Sequence, residues 1–351
     1  MDDRIFERWI HQIQQSSSAE DLLEIREQFH IASLREENEN MTLMQVQRVN
    51  DFHDELIRAS VKFAVMEMGE EPPTPFQFVL FGSGGRSEQT WWSDQDNCLI
   101  YDHPAQADVG SVEIYYKELG QMIVKQLEAA GYPPCEGQVI SSHSMWCLHS
   151  GVWQDRMNEW MNDPHWENVR YLLICCDLRI IYTHGTPAFH AAAPLHDYEA
   201  YHDGLLQYFV ANTLKYKVLI NVFGGFIKEK YGTAAGSIDL KYGAYIPMVN
   251  AIRLLALTHG INETNTLRRL EGLKQLHAFP VPLIEEWEKA FEFFLLLRMK
   301  TDSILENGMY STNGMLKLSS LSKVEKQQLK SFLKTGNSLQ KLIRKTIGIV
   351  S

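Results

Sequence analysis

The stretch Phe76-Gln77-Phe78-Val79-Leu80-Phe81-Gly82-Ser83-Gly84-Gly85-Arg86-Ser87-Glu88-Gln89, continuing Thr90-Trp91-Trp92-Ser93-Asp94-Gln95-Asp96-Asn97-Cys98-Leu99-Ile100-Tyr101, decides the fold. Two short apolar runs, Phe76 to Phe81 and Asn97 to Tyr101, read as buried strands, the second starting near Asp94. Between them lies a polar, turn-prone segment. Alternate residues of a strand share a face, with Cα atoms roughly 6.6 Å apart, so Asp94 and Asp96 point one way and Gln95 the other. Two carboxylates so spaced suit one or two divalent cations, Mg²⁺ or Mn²⁺. The small-residue turn after the first strand can aim backbone N–H groups at a triphosphate, with Ser83 adding a hydroxyl. Two other phosphate motifs are excluded. A P-loop needs a Gly-Lys-Ser/Thr ending, and no lysine is near; a dinucleotide fingerprint needs a third glycine at position 87, which is serine.

The pattern Gly82-Ser83, ten residues, then Asp94-x-Asp96 resembles the signature of the polymerase-β-like nucleotidyltransferase superfamily. The fuller string is similar to one branch of it, the signal-transduction nucleotidyltransferases related to the amino-terminal domain of PII uridylyltransferase and often fused to CBS domains. Further matching stretches are Gly131-Tyr132-Pro133-Pro134-Cys135-Glu136-Gly137, Asp177-Leu178-Arg179, Ile238-Asp239-Leu240-Lys241 and Arg253 to Gly260. The resemblance implies an α+β fold, with a small mixed-sheet core, a helical lead and a C-terminal helical bundle. It implies transfer of a nucleoside monophosphate from an NTP to an acceptor, with release of pyrophosphate. Asp94 and Asp96 then hold the metal. Gly82, Ser83, Arg86, Arg179, Lys241 and Arg253 bind nucleotide, and Asp177 is the third catalytic carboxylate, with Glu136 as runner-up. A hydroxyl on a regulatory protein is the expected acceptor, by analogy with uridylylation of PII. A small-molecule adenylyltransferase and a non-catalytic nucleotide-binding signalling module are the alternatives. The phosphohydrolase, ACT and CBS domains of the relatives have no counterpart in the sequence.

Composition bounds these readings. The 351 residues suffice for two or three domains. A net charge of −11 argues against a protein that wraps nucleic acid. Five cysteines without metal-ligand spacing read as reduced thiols, and no run is apolar enough for a membrane span, so a cytoplasmic protein is expected.

Along the chain, residues 1–72 read as helices, the third with an apolar stripe of Val49, Phe52, Leu56, Ala59 and Phe63. Residues 73–186 alternate strand and helix, including a helix from Val109 to Ala130, a third strand Gln138–Ser141, a helix from Val152 to Met161 and a strand Leu178–Tyr182. Residues 187–351 are expected to be a substrate-binding domain, almost wholly helical, with breaks at Gly224-Gly225, Tyr231 to Gly236, Gly260 and Pro280 to Pro282. From Leu316 to the end, eight Lys/Arg face one glutamate, Glu325. They form either a solvated face or a surface for an acidic partner or phosphates.

Several side chains have competing explanations. Arg86 can clamp phosphate or form a salt bridge to Glu88 or Asp94. Asp177 can act in catalysis or pair structurally. His143 is a candidate ligand, although a lone histidine is more often structural. Trp91-Trp92 can stack on a base but more often such pairs anchor packing. Three His-Asp doublets, at His53, His196 and His202, read as chance pairs.

Overall fold

A computed structural model describes residues 2–36, 41–103, 108–193, 203–215, 218–220, 225–229, 231, 235–306 and 308–348. Gly224, residues 232–234, the His196-Asp197 doublet and His202 lie outside the described residues. The chain divides into two compact units. The first comprises residues 1–159, 177–195 and 305–311; the second comprises residues 160–176, 196–304 and 312–351. The helical lead and the sheet thus share one unit. The α+β class is as expected.

The first unit opens with α1 (Asp3–Gln15), α2 (Ala19–Glu36) and α3 (Leu43–Glu67). Thr42 and Gln45 form a capping box that satisfies the first backbone donors of α3. Its buried face carries Val46, Val49, Phe52, Leu56, Ile57, Val61 and Ala64, together with Asn50, His53 and Asp54. The expected stripe therefore holds through Leu56 and then shifts by one position: Ser60 and Ala64 are buried, while Ala59 and Phe63 are half-buried.

The sheet has the order β3-β2-β1-β4. Its strands are β1 (Phe76–Leu80), β2 (Asn97–Tyr101), β3 (Cys147–His149) and β4 (Arg179–His184). β1 runs antiparallel to both neighbours, with Leu80 opposite Asn97 on one side and Arg179 on the other; β3 is parallel to β2. Every residue of β1 and β2 is buried, as the continuous apolar runs require of a sheet covered on both faces. On one face Phe76 meets Tyr116 of α5 (Val109–Ala129). On the other, Phe81 packs edge-on against Trp146, and Gln77 accepts the Ala191 N–H at 2.9 Å.

The third strand is not where the sequence suggests. Residues 138–141 form no strand, because Gln138 takes φ +57° and the Ser141 N–H goes to the Asn97 side chain instead of a ladder carbonyl. Only the Val139 carbonyl bonds β2, through Asn97 N–H. Cys147–His149 supplies the strand, and α6 (Ser150–Asn162) follows it at once.

The second unit is mainly helical: α7 (Trp166–Cys175), α8 (Asp203–Thr213), α9 (Ile246–Thr258), α10 (Thr266–Gln275), α11 (Val281–Arg298) and α12 (Lys323–Ile343). Residues 247 to 256 of α9 are all buried, so this helix is the axis of the unit's core. The breaks at Gly260, which has φ +71°, and at Pro280, which precedes α11, are as expected. Short strands interrupt the helices. One antiparallel pair, Ser237–Asp239 with Met315–Lys317, leaves Ile238 and Leu316 fully inside.

Candidate functional site

The site is built where β1 ends. Gly82 has φ +54°, a conformation that only glycine adopts without strain, and it starts the four-residue turn α4 (Gly82–Gly85). A Cβ on Gly82 would lie 2.4 Å from a carboxylate oxygen of Asp96. The absence of a side chain therefore lets Asp96 rest against the turn. The turn's own bonds run from Gly85 N–H to Phe81 and from Arg86 N–H to Gly82, and the N–H groups of Gly82, Ser83 and Gly84 have no backbone acceptor among the described residues.

Asp94 and Asp96 lie just before β2, in neither strand nor helix, rather than within the strand. Gln95 between them is buried, and its amide donates to the carbonyls of Val124 and Tyr132 at 3.2 and 2.9 Å. The two carboxylates share a neighbour, Cys135. Its thiol, which donates to Asp96, is pushed up to about 12, first by burial and then by the charges of Asp96 and Asp94. Both aspartates are half-buried. Asp94 has no arginine or lysine partner among the described residues.

The other expected site residues of this unit are committed to the scaffold. Arg86 is buried, and its guanidinium donates to Glu88 at 2.7 Å and to Asp177 at 2.5 Å. Both carboxylates are buried with it, so Arg86 forms the expected salt bridge to Glu88 and a second one to Asp177. Gly85 fits beneath: a Cβ there would fall 1.8 Å from the Asp177 carbonyl oxygen. Arg179 forks onto Asp54 of α3 at 2.6 and 2.8 Å, and donates to the Gly84 carbonyl at 2.7 Å. It closes the C-terminal end of the turn rather than the end where the N–H groups point.

Sequence reasoning missed the helical lead's part. Asn50 accepts the Gln89 N–H at 2.7 Å and donates to the Gln89 carbonyl at 3.3 Å. The His53 ring reaches the Thr90 carbonyl at 3.0 Å and the Tyr132 hydroxyl at 2.6 Å. Arg26 donates to the Trp91 carbonyl at 3.2 Å, and its guanidinium lies 3.8 Å from the centre of the Tyr132 ring. Three consecutive carbonyls of the loop are thus held from α2 and α3. Burial, and then the Arg26 charge, lowers His53 to about 3 and His30 to about 4, so both are neutral at pH 7. The available signal was the spacing of Asn50, His53 and Asp54, polar residues placed among the apolar ones on one helix face. Trp91 and Trp92 are buried; Trp91 packs with Phe29 and His30, and Trp92 stacks on Tyr310. They are packing anchors.

Glu136 is exposed in the turn next to Cys135, and exposed His143 accepts the Met145 N–H in a local turn. Lys241 and Arg253 belong to the second unit. Asp239 accepts the Tyr242 N–H at 2.8 Å, and Lys241 lies over the Tyr242 ring. Arg253 is buried within α9 and donates to Asn250 at 3.2 Å, so it is not an exposed helix residue.

Among the described residues, no group of three or more His, Cys, Asp and Glu could hold a metal. The Asp94–Asp96 pair still fits Mg²⁺, which is commonly bound through one or two carboxylates with its other ligands drawn from phosphates and water. Comparison with protein families gives two matches. Residues 28–167 match the model described as putative nucleotidyltransferase DUF294. Residues 203–347 match a putative nucleotidyltransferase substrate binding domain. Both matched models are described as nucleotidyltransferase domains, the second as the substrate-binding one, and between them they span most of the chain. No curated protein matches it. No helix among the described residues is long and apolar enough to cross a membrane.

Proposed function

We propose that the protein transfers a nucleoside monophosphate from an NTP to an acceptor hydroxyl, and that Asp94 and Asp96 carry the reaction. The acceptor oxygen bonds to the α-phosphorus as the bond to the pyrophosphate oxygen breaks. One observation bears most of this reading: the Asp96 carboxylate rests on the Gly82 turn, so metal-holding oxygens and free N–H donors lie side by side. Mg²⁺ or Mn²⁺ held by Asp94 and Asp96 would neutralise phosphate charge and lower the pKa of the attacking hydroxyl. The N–H groups of Gly82, Ser83 and Gly84, with the Ser83 hydroxyl, receive phosphate oxygens. Arg86, Asp177 and Arg179 are positioning residues that fix the turn, and Glu136 becomes the better candidate for a third carboxylate. The acceptor is a hydroxyl of a regulatory protein, a reading that rests on the likeness to the PII-modifying enzymes.

The test is incubation of the purified protein with each α-labelled NTP, Mg²⁺ or Mn²⁺, and host-cell lysate. Label on a protein band, with pyrophosphate released, supports the reading. Label on a small molecule moves the acceptor to that class. Nucleotide binding without transfer under any condition overturns catalysis in favour of a signalling module. Glu136→Gln is expected to lower the rate about 10²-fold, in the range of a positioned acid or base.

A further inference from the structure

The basic carboxyl-terminal stretch is not spread evenly over solvent. In the second unit a cavity of about 650 Å³ is lined by Phe226, Lys228, Lys317, Leu318, Ser319, Lys326, Gln327 and Lys330, with Ala235 and Gly236. Among the described residues, four lysines line it and no carboxylate does. Only Lys317 has an ion pair among the described residues, to Asp302 at 3.0 Å. Lys326 and Lys330 stand four residues apart on α12, where like charges repel by about 0.2–0.5 kcal/mol. This concentration of positive charge occurs in a chain whose net charge is −11. The cavity also has an apolar wall. Leu318 is buried, and the Lys330 ammonium lies 5.3 Å from the centre of the Phe226 ring. The Ser319 hydroxyl and Gln327 amide add neutral donors. The volume falls within the range of small-molecule sites, about 300–1,000 Å³.

We propose that this cleft binds a phosphorylated small molecule, its phosphates on Lys228, Lys326 and Lys330 and its apolar part against Phe226 and Leu318. A flat, fully exposed lysine face would suit an acidic protein; a concave site with an aromatic wall matches a ligand that is anionic at one end and apolar at the other. A nucleotide has that chemistry, as does a sugar phosphate bearing an apolar group. The inference uses none of the residues of the glycine turn and does not depend on the proposed transfer reaction.

Calorimetric titration of the full chain in EDTA tests it, because chelation silences metal-dependent binding at Asp94 and Asp96. The probes are inorganic tripolyphosphate, each NTP and polyglutamate. Expected is binding of tripolyphosphate and NTPs that weakens with salt. It should persist in Asp94→Asn and fall at least 10-fold in the double variant Lys326→Ala and Lys330→Ala. Lys345→Ala, outside the cavity, controls for loss of general charge, and unchanged melting temperatures exclude misfolding. NTPs tighter than tripolyphosphate assign the apolar wall to a base; equal affinities assign the cleft to phosphate alone. Binding unchanged in the double variant, binding lost in Asp94→Asn, or binding of polyglutamate but not of phosphates overturns the proposal. Failure of the transfer assay leaves this result untouched.

Discussion

Two pairs of aspartates flank the carboxyl end of β1, and their circumstances differ. On the β4 side, Asp177 holds Arg86 in the interior and Asp54 holds the half-buried Arg179. On the β2 side, Asp94 and Asp96 are half-buried; both lie near the Cys135 thiol, and Asp96 rests against Gly82 of the turn. Arg86 and Arg179, the charges that look most suited to phosphate, are tied to carboxylates that shape the loop. The proposed reaction instead draws on two carboxylates and a row of N–H donors.

Substitution on the β2 side should leave the fold intact and abolish transfer. Asp94→Asn and Asp96→Asn are expected to lower the rate of labelled-NMP transfer about 10³-fold or more, with melting temperatures close to wild type. A wild-type rate in either variant removes that residue from the reaction. The β4 side should behave in the opposite way. Arg86→Met removes the guanidinium that the buried Glu88 and Asp177 share, at a cost of about 3–5 kcal/mol by denaturant unfolding. Adding Glu88→Gln and Asp177→Asn should recover much of that loss, and a single variant as stable as wild type would show that the pair is not buried as described.

Gly82→Ala sits on the boundary between the two. Its strain at φ +54° is expected to cost about 1–2 kcal/mol and, by displacing Asp96, to reduce transfer more than that loss of stability explains. A variant with normal activity would mean that Asp96 need not touch the turn.

A further effect, seen only on acidification, concerns the lead helix. His53 is held near 3, below its ordinary value of 6.5, so the unfolded chain binds the proton first as pH falls. Stability should be level above pH 6.5 and decline toward pH 3, by up to about 1.4 kcal/mol per pH unit for this one group. His53→Gln should flatten that slope in urea unfolding measured across the range; an unchanged slope would assign it to other groups.

Much of this was legible in the sequence, and the failures have physical causes. The first two strands and the turn between them follow from apolar runs and glycines. The strand expected at residues 138–141 failed because a positive φ at Gln138 and the Asn97 side chain divert its hydrogen bonds, neither of which hydropathy records. The partners of Arg86 and Arg179 were ambiguous because they are brought in from distant segments: Asp177 is 91 residues beyond Arg86, and Asp54 is 125 before Arg179. The His53-Asp54 doublet looked accidental for the same reason. Its two side chains serve different tertiary contacts, to the loop at Thr90 and to Arg179.

The central claim is that Asp94 and Asp96, and not the arginine-bound aspartates, hold a metal–nucleotide pair beside the glycine turn. Electron paramagnetic resonance of Mn²⁺ with the protein and a non-hydrolysable NTP measures this directly. The account predicts nucleotide-dependent Mn²⁺ binding that is lost in Asp94→Asn and in Asp96→Asn, while the folded double variant Lys326→Ala and Lys330→Ala keeps it. Mn²⁺ bound with wild-type affinity in both aspartate variants would contradict it.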